Sequence, residues 1–235
     1  MQSIFGFAGK DYVMIAAESS SQSSILRIKD DLDRIYEADD RFAFACVGEP
    51  GDDDAYSDYI VRNIQLNKFR NGYSSTTHAN ASWMRYVLAE NLRKSPYQCN
   101  CVVGGVDLPS AFQDITAEPQ VLVSSPSASA SSSSSESSSA SSSVASVSEK
   151  DITPHLYYLD YLGTLCEIPF CAHGYCGYLL YGLWDHMWKK DMSREDGMKM
   201  LKASIAQIKK RFVMQQNSWI VKIITKDGIE RVQLE

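Results

Sequence analysis

Tyr12-Val-Met-Ile-Ala-Ala17 is a continuous apolar run, too short for a helix and rich in strand-forming residues. A strand that is apolar on both sides needs cover on both faces, so this segment already implies stacked layers rather than a sheet open to water. Working outward, Ile35–Ala38 and Arg41–Val47 repeat the pattern on either side of Asp39-Asp40, which reads as a hairpin turn. Tyr97–Asp107 is a further strand running into a glycine-loosened end, Gly104-Gly105. Leu156–Tyr161 and Thr164–Ile168 form a hairpin across Leu162-Gly163. Trp219–Thr225 and Ile229–Val232 close the chain around Lys226-Asp-Gly228.

Helical spacing fills the intervals. After Gly48-Glu-Pro-Gly51, residues Tyr56, Tyr59, Ile60 and Ile64 recur at steps of three and four, and Gly72 marks the end. Asp52, Asp53 and Asp54 fall in the first turn, where carboxylates suit the positive end of the helix dipole. They read as a cap, because the further oxygen ligands of a calcium loop do not follow. A second helix carries Ala81, Met84, Leu88 and Leu92 and finishes before Pro96. A third, from about Tyr175 to Trp188, is apolar nearly all round and is expected to be deeply packed. The last begins at the capping box Ser193-Arg-Glu-Asp196 and bears Met198, Leu201, Ile205, Ile208 and Phe212 on one stripe. The order is strands, two helices, strands, two helices, strands. That order predicts an α/β (α+β) four-layer α-β-β-α sandwich, two sheets face to face with a helical layer outside each.

The whole-chain numbers fit a globular protein. The chain has 235 residues, 44% hydrophobic and 22% charged, with a net charge of −6. That balance argues against a basic nucleic-acid binder. No run approaches the ~18 apolar residues of a membrane-spanning helix. Met1-Gln-Ser-Ile-Phe-Gly-Phe7 has neither the basic nor the apolar region of a signal peptide. Six cysteines without a secretory signal read as reduced thiols. Between Ser124 and Ser148, 17 of 25 residues are serine and Glu136 is the only charge. Such a segment cannot bury a core, so residues 108–154 are expected to be a disordered, solvent-exposed loop insertion in one domain spanning 1–235.

Several local motifs then converge. They include Ile15-Ala-Ala-Glu18, Val47-Gly-Glu-Pro-Gly-Asp52, Asn63-Ile-Gln-Leu66, Pro96-Tyr-Gln98 leading to Gly104-Gly105, and Asp160-Tyr-Leu-Gly-Thr164. Ala172-His-Gly-Tyr175, Asp185-His186, Asp191-Met192 and Lys226-Asp-Gly-Ile229 complete the set. In this order they resemble the β-type subunits of the 20S proteasome, members of the N-terminal-nucleophile hydrolase superfamily, and within it the non-catalytic β4 type. The resemblance covers nearly all of Gln2–Val232 outside about 108–154.

What the resemblance implies can be tested residue by residue. Active members attack peptide carbonyls with the hydroxyl of an N-terminal threonine whose own amine is the base; a lysine and an aspartate support it. Here the threonine position falls on Gln2, the aspartate position on Glu18 and the lysine position on Arg34, whose guanidinium stays protonated and cannot share a proton. The supporting aspartate position falls on Phe212, the supporting serines on Gln215 and Tyr175. Gly48 keeps the backbone N–H of the oxyanion hole. Only Met1 precedes Gln2, so no propeptide cleavage is expected to expose a nucleophile. The chain is therefore expected to have no catalytic residues, no cofactor and no metal.

The resemblance further implies a structural place in a 28-subunit hetero-oligomer. The partners would be the neighbouring β3 and β5 ring subunits, the α ring and the opposing β ring, with no nucleic acid and no membrane. The setting would be ubiquitin- and ATP-dependent protein degradation in cytoplasm and nucleus. Two other functions stand as alternatives: a hydrolase in which processing exposes Ser3, and a free-standing interaction protein that uses the serine tract as a modified arm. Cys166, Cys171, His173 and Cys176 lie within eleven residues but match no zinc-knuckle spacing, and read as buried thiols. Cys99 and Cys101 share a strand face as small core residues, and Trp184, His186 and Trp188 read as packing or interface.

Overall fold

The computed structural model describes residues 2–23, 26–108, 152–212 and 218–232. The serine tract, Gln215 and most of the expected insertion lie outside the described residues. Strands β1 (Ile4–Ala8), β2 (Val13–Glu18), β3 (Ser21–Ser23), β4 (Leu26–Lys29), β5 (Ile35–Asp39) and β6 (Phe42–Gly48) are followed by helices α1 (Pro50–Asn71) and α2 (Thr77–Asn91). Then come β7 (Cys99–Asp107), β8 (Thr153–Leu159), β9 (Leu165–Glu167), β10 (Phe170–His173), α3 (Cys176–Met187), α4 (Arg194–Arg211), β11 (Trp219–Thr225) and β12 (Gly228–Val232).

Among the described residues two five-stranded antiparallel sheets form, ordered β10-β1-β2-β11-β12 and β5-β6-β7-β8-β9, with the small β3-β4 ribbon beside them. All six residues of β2 are buried, as its two-sided apolar pattern requires. Val13 and Ile15 face the other sheet, meeting Ala43, Ala45, Val102 and Leu156, whereas Met14 faces the α3–α4 layer with Phe5 and Val221. This alternation is the two-residue period of a strand. On the far side, Tyr56, Ile60, Met84 and Leu88 of α1 and α2 bury themselves against Phe44, Cys101 and Tyr157. The four-layer sandwich follows. The sheets approach closely enough that a Cβ at Gly104 would lie 2.7 Å from Val13 Cγ1, so the middle of β7, and not its end, takes the glycine.

Local signals act where expected. Gly72 takes a left-handed φ of 75° at the end of α1 and donates its N–H to Lys68 O. Ser193 caps α4 by accepting from Asp196 N. Leu201, Ile205 and Ile208 lie on the buried stripe of α4, but Met198 is only partly buried, and Phe212 lies beyond the helix end in extended backbone.

Three sequence expectations are corrected. The all-round apolar α3 is not deeply packed. It buries Cys176, Gly177, Leu180 and Trp184, while Tyr178 is 86% exposed. Tyrosine counted as apolar in the pattern, yet its hydroxyl tolerates water. Strand β8 starts at Thr153 rather than Leu156, because Pro154 is tolerated near the start of a strand. It ends at Leu159, where Asp160 Oδ1 accepts from Leu162 N and Thr164 N to make the turn. Thr153 and Pro154 therefore belong to the sheet and not to the insertion. Strand β1 was not foreseen at all. Gly6 interrupts its apolar pattern and Gly9 follows it at once, and Gly6 is required because a Cβ there would lie 2.9 Å from Met14 O.

Candidate functional site

The fold brings four of the positions singled out from sequence to one end of the paired sheets. Gln2 lies two residues before the start of β1, Glu18 ends β2, Arg34 directly precedes β5 and Gly48 ends β6. Residue 2 is held there by the antiparallel pairing of β1 with β2 and β10, which places Ile4 opposite both Ala17 and His173. Glu18 N donates to Ser3 O over 2.9 Å, fixing the start of β1 against the end of β2.

The side chains form a closed set. Gly48 N donates to Gln2 Oε1 over 3.0 Å, so the amide expected to line an oxyanion hole is already paired within the chain. Glu18 is buried, and its Oε1 accepts from the Ser20 hydroxyl. Arg34 is buried and points Nη1 at Glu18 O (2.5 Å) and Nη2 at Ser20 O (3.2 Å). Burial lowers the Arg34 pKa, an effect opposed by the charges of Glu18 and then Asp53. A guanidinium so placed anchors two carbonyl oxygens and does not exchange protons. Ser3 is fully buried beneath this set.

The remaining predicted positions do not join it as a proton network. Tyr175 sits at the start of α3 and is 59% exposed. It follows Gly174, where φ is 85° and a Cβ would lie 2.3 Å from Gln2 O, so only glycine fits. Phe212 packs into the helix-side core.

Sequence reasoning missed Asp53. It read Asp52–Asp54 together as a helix cap, whereas Asp52 Oδ2 accepts from Gln98 N, Asp54 is exposed and Asp53 is buried. Burial pushes its carboxyl pKa up to about 7, with the Gly48 amide and Arg34 acting in the opposite direction. The signal was present: residues 53, 56, 60 and 64 share the buried stripe of α1.

The cysteine and histidine group disperses. Cys166 is exposed, Cys171 and Cys176 are buried, and His173 bonds through Nε2 to Cys101 O at 3.0 Å. Among the described residues no three His, Cys, Asp or Glu side chains are placed to hold a metal ion. Cys99 and Cys101 lie in the core, with Cys101 Sγ 2.9 Å from Cys46 Sγ across the β6–β7 pair. Trp184 Nε1 donates to Ser204 Oγ and Trp188 Nε1 to Ala8 O, both packing roles, while His186 is exposed. No described helix is long and apolar enough to cross a membrane.

Comparison with known proteins adds the family. The chain matches the model described as "Proteasome subunit" over residues 2–132 and 115–224. It is 33% identical over 235 residues to "Proteasome subunit beta type-2" of Trypanosoma brucei brucei, covering 99% of this chain and 98% of the relative. It is 31% identical to "Proteasome subunit beta type-4" of Saccharomyces cerevisiae, covering 99% and 97%, and 31% identical to "Proteasome subunit beta type-2-A" of Arabidopsis thaliana, covering 97% and 91%. With its paired antiparallel sheets between helical layers and a match running along nearly its whole length, the chain belongs to the proteasome subunit family as a β-type subunit of the 20S core.

Proposed function

We propose that this chain is a non-catalytic structural subunit of the 20S β ring, in the β4 position between the β3 and β5 ring subunits. The observation that carries the reading is the hydrogen bond from Gly48 N to Gln2 Oε1. Acyl transfer needs a nucleophile at residue 2 and a free amide to receive the developing oxyanion. Here residue 2 offers an amide oxygen, and that oxygen occupies the amide donor. Arg34 in place of a lysine and Glu18 in place of an aspartate support the same reading, since both are spent on backbone and serine contacts. The names of the beta type-2 and type-4 relatives support the β4 position.

In this role the chain closes the wall of the proteolytic chamber and braces neighbours that do the chemistry, in cytoplasm and nucleus. The domain is single, and the Ser-rich segment is an insertion that assembly does not require. Treating purified particles with a covalent threonine-directed inhibitor and measuring intact subunit masses tests the inactivity. Adducts are expected on other β subunits and none on this chain. An adduct on its residue 2 or on Ser3 overturns the reading.

A further inference from the structure

Helices α1 and α2 enclose a cleft of about 390 Å³ on the outer side of the β5–β9 sheet. At its base lies Asn80, 5% exposed, whose Nδ2 has no hydrogen-bond partner. A buried amide donor without a partner is rare in a finished protein interior and points to a missing acceptor. Arg70, in the last turn of α1, lines the same cleft and forms no ion pair with any described residue. The other two amides at the cleft are already committed, with Asn63 Nδ2 donating to Tyr59 O at 2.8 Å, Asn67 Nδ2 donating to Ser75 Oγ at 2.9 Å and Asn67 Oδ1 accepting from Asn71 Nδ2 at 2.6 Å. Among the described residues no aspartate or glutamate lines the space. Ile64 and Leu66 supply carbon walls, and Trp83 lies against Tyr59 with ring centroids 6.0 Å apart.

An unused guanidinium, an unused amide N–H₂ and an absence of acidic neighbours define a receptor for a carboxylate on a short carbon stem. Along the same helix Tyr59 and Leu66 are exposed, and Phe69 is 85% exposed. A donor pocket beside exposed aromatic and aliphatic side chains has the anatomy of a protein contact, an anchoring point ringed by apolar surface.

We propose that this cleft binds a carboxylate presented by an adjoining proteasome subunit, an acidic side chain or a chain terminus, with Arg70 and Asn80 Nδ2 as its donors. The proposal rests on the chain being an assembled subunit, and it adds a specific point of attachment. Arg70 is at the surface, so its replacement leaves the core of the chain intact. Cells expressing wild-type and Arg70→Glu chains with distinguishable masses supply the test, read as the ratio of the two in purified 20S particles. The charge reversal is expected to lower incorporation at least five-fold, and Arg70→Lys to restore most of it. Equal incorporation of the Glu variant overturns the proposal while leaving the subunit reading in place; absence of both chains from the particle overturns both.

A photoreactive residue at Leu66, which lines the cleft, gives the second readout. In assembled particles it is expected to join this chain to a peptide of another subunit carrying Asp, Glu or a C-terminus at the linked site. Products confined to this chain, or a linked peptide without a carboxylate, overturn the proposal. Protection of the cleft by millimolar acetate with no intersubunit product would assign it to a small-molecule ligand and overturn it as well.

Discussion

His173 lies between the sheets at 5% exposure, its ring stacked on Tyr158 with centroids 4.2 Å apart and its Nε2 bonded to Cys101 O at 3.0 Å. Burial holds its pKa down at about 4, against 6.5 for an ordinary histidine, although the bond to Cys101 O acts the other way. The unfolded chain therefore takes up a proton near pH 6.5 that the folded chain refuses until about pH 4. The folded state keeps full stability above pH 6.5 and loses it as pH falls through that window. The loss is about 1.4 kcal/mol at pH 5.5 and about 2.6 kcal/mol at pH 4.5, relative to neutral pH. Urea denaturation of the full chain and of His173→Gln across pH 7.5 to 4.5 isolates this group, because every other titrating residue is common to both. At neutral pH the variant is the less stable, having lost the stacked ring. Its deficit is expected to shrink by about 2.6 kcal/mol on going to pH 4.5. Stability curves that stay parallel over the whole range would refute the reasoning.

Asp53 has the opposite sign. Its folded pKa of about 7 lies above the ordinary 3.8, so the penalty for its burial is absent below pH 4 and grows as pH rises through 7. Asp53→Asn should stabilise the chain by roughly 4 kcal/mol at pH 8 and leave it unchanged at pH 3.5, read from denaturation midpoints. Lys222 reaches from β11 to the edge of the other sheet, with Nζ 2.6 Å from Ile35 O, 2.7 Å from Glu37 Oε1 and 2.9 Å from Asp33 Oδ2. Lys222→Met should cost about 2 kcal/mol, less than the ~3–5 kcal/mol of a fully buried pair because both carboxylates remain partly solvated, and thermal unfolding checks it. Deleting residues 124–148 should leave particle yield and peptidase activity unchanged in cells carrying only the shortened chain.

What could be read from sequence follows a physical division. Segments whose burial is set by their own period were legible. Tyr12–Ala17 could only be a strand covered on both faces, and Leu201, Ile205 and Ile208 could only be one helix stripe. Segments whose state is set by a distant partner were not. β1 carries Gly6 and is followed at once by Gly9, and its strand character comes from pairing with β10, more than 160 residues away. The burial of Asp53 is a tertiary fact superimposed on a local cap signal, because the helix start that favours acidic residues is also driven against Arg34 and Gly48. At the site, residue types alone were enough to find the substitutions at Gln2, Glu18 and Arg34. They could not reveal that Gln2 turns back onto Gly48, since that contact depends on β1 being a strand.

The positions that the family resemblance equates with a catalytic set serve here as a seam between the sheets. Gln2 and Glu18 belong to the β1–β2 side, Gly48 and Arg34 to the β5–β6 side, and their hydrogen bonds cross the gap. If that is their work, their substitution should be felt in stability rather than in turnover, and unequally. Gln2→Ala removes one neutral acceptor from an amide near the surface and should cost about 1 kcal/mol. Arg34→Met keeps the volume but strands the Glu18 and Ser20 carbonyls and leaves the buried Glu18 carboxyl without its nearest cation. It should cost about 3 kcal/mol, within the range for removing one member of a buried charged pair. The two costs should fall short of additivity, since both substitutions loosen the same edge. Thermal unfolding of the two single variants and the double variant measures all three quantities. An Arg34→Met chain as stable as wild type would mean that the guanidinium is not holding the sheets together. The seam would then be a consequence of the fold rather than one of its supports.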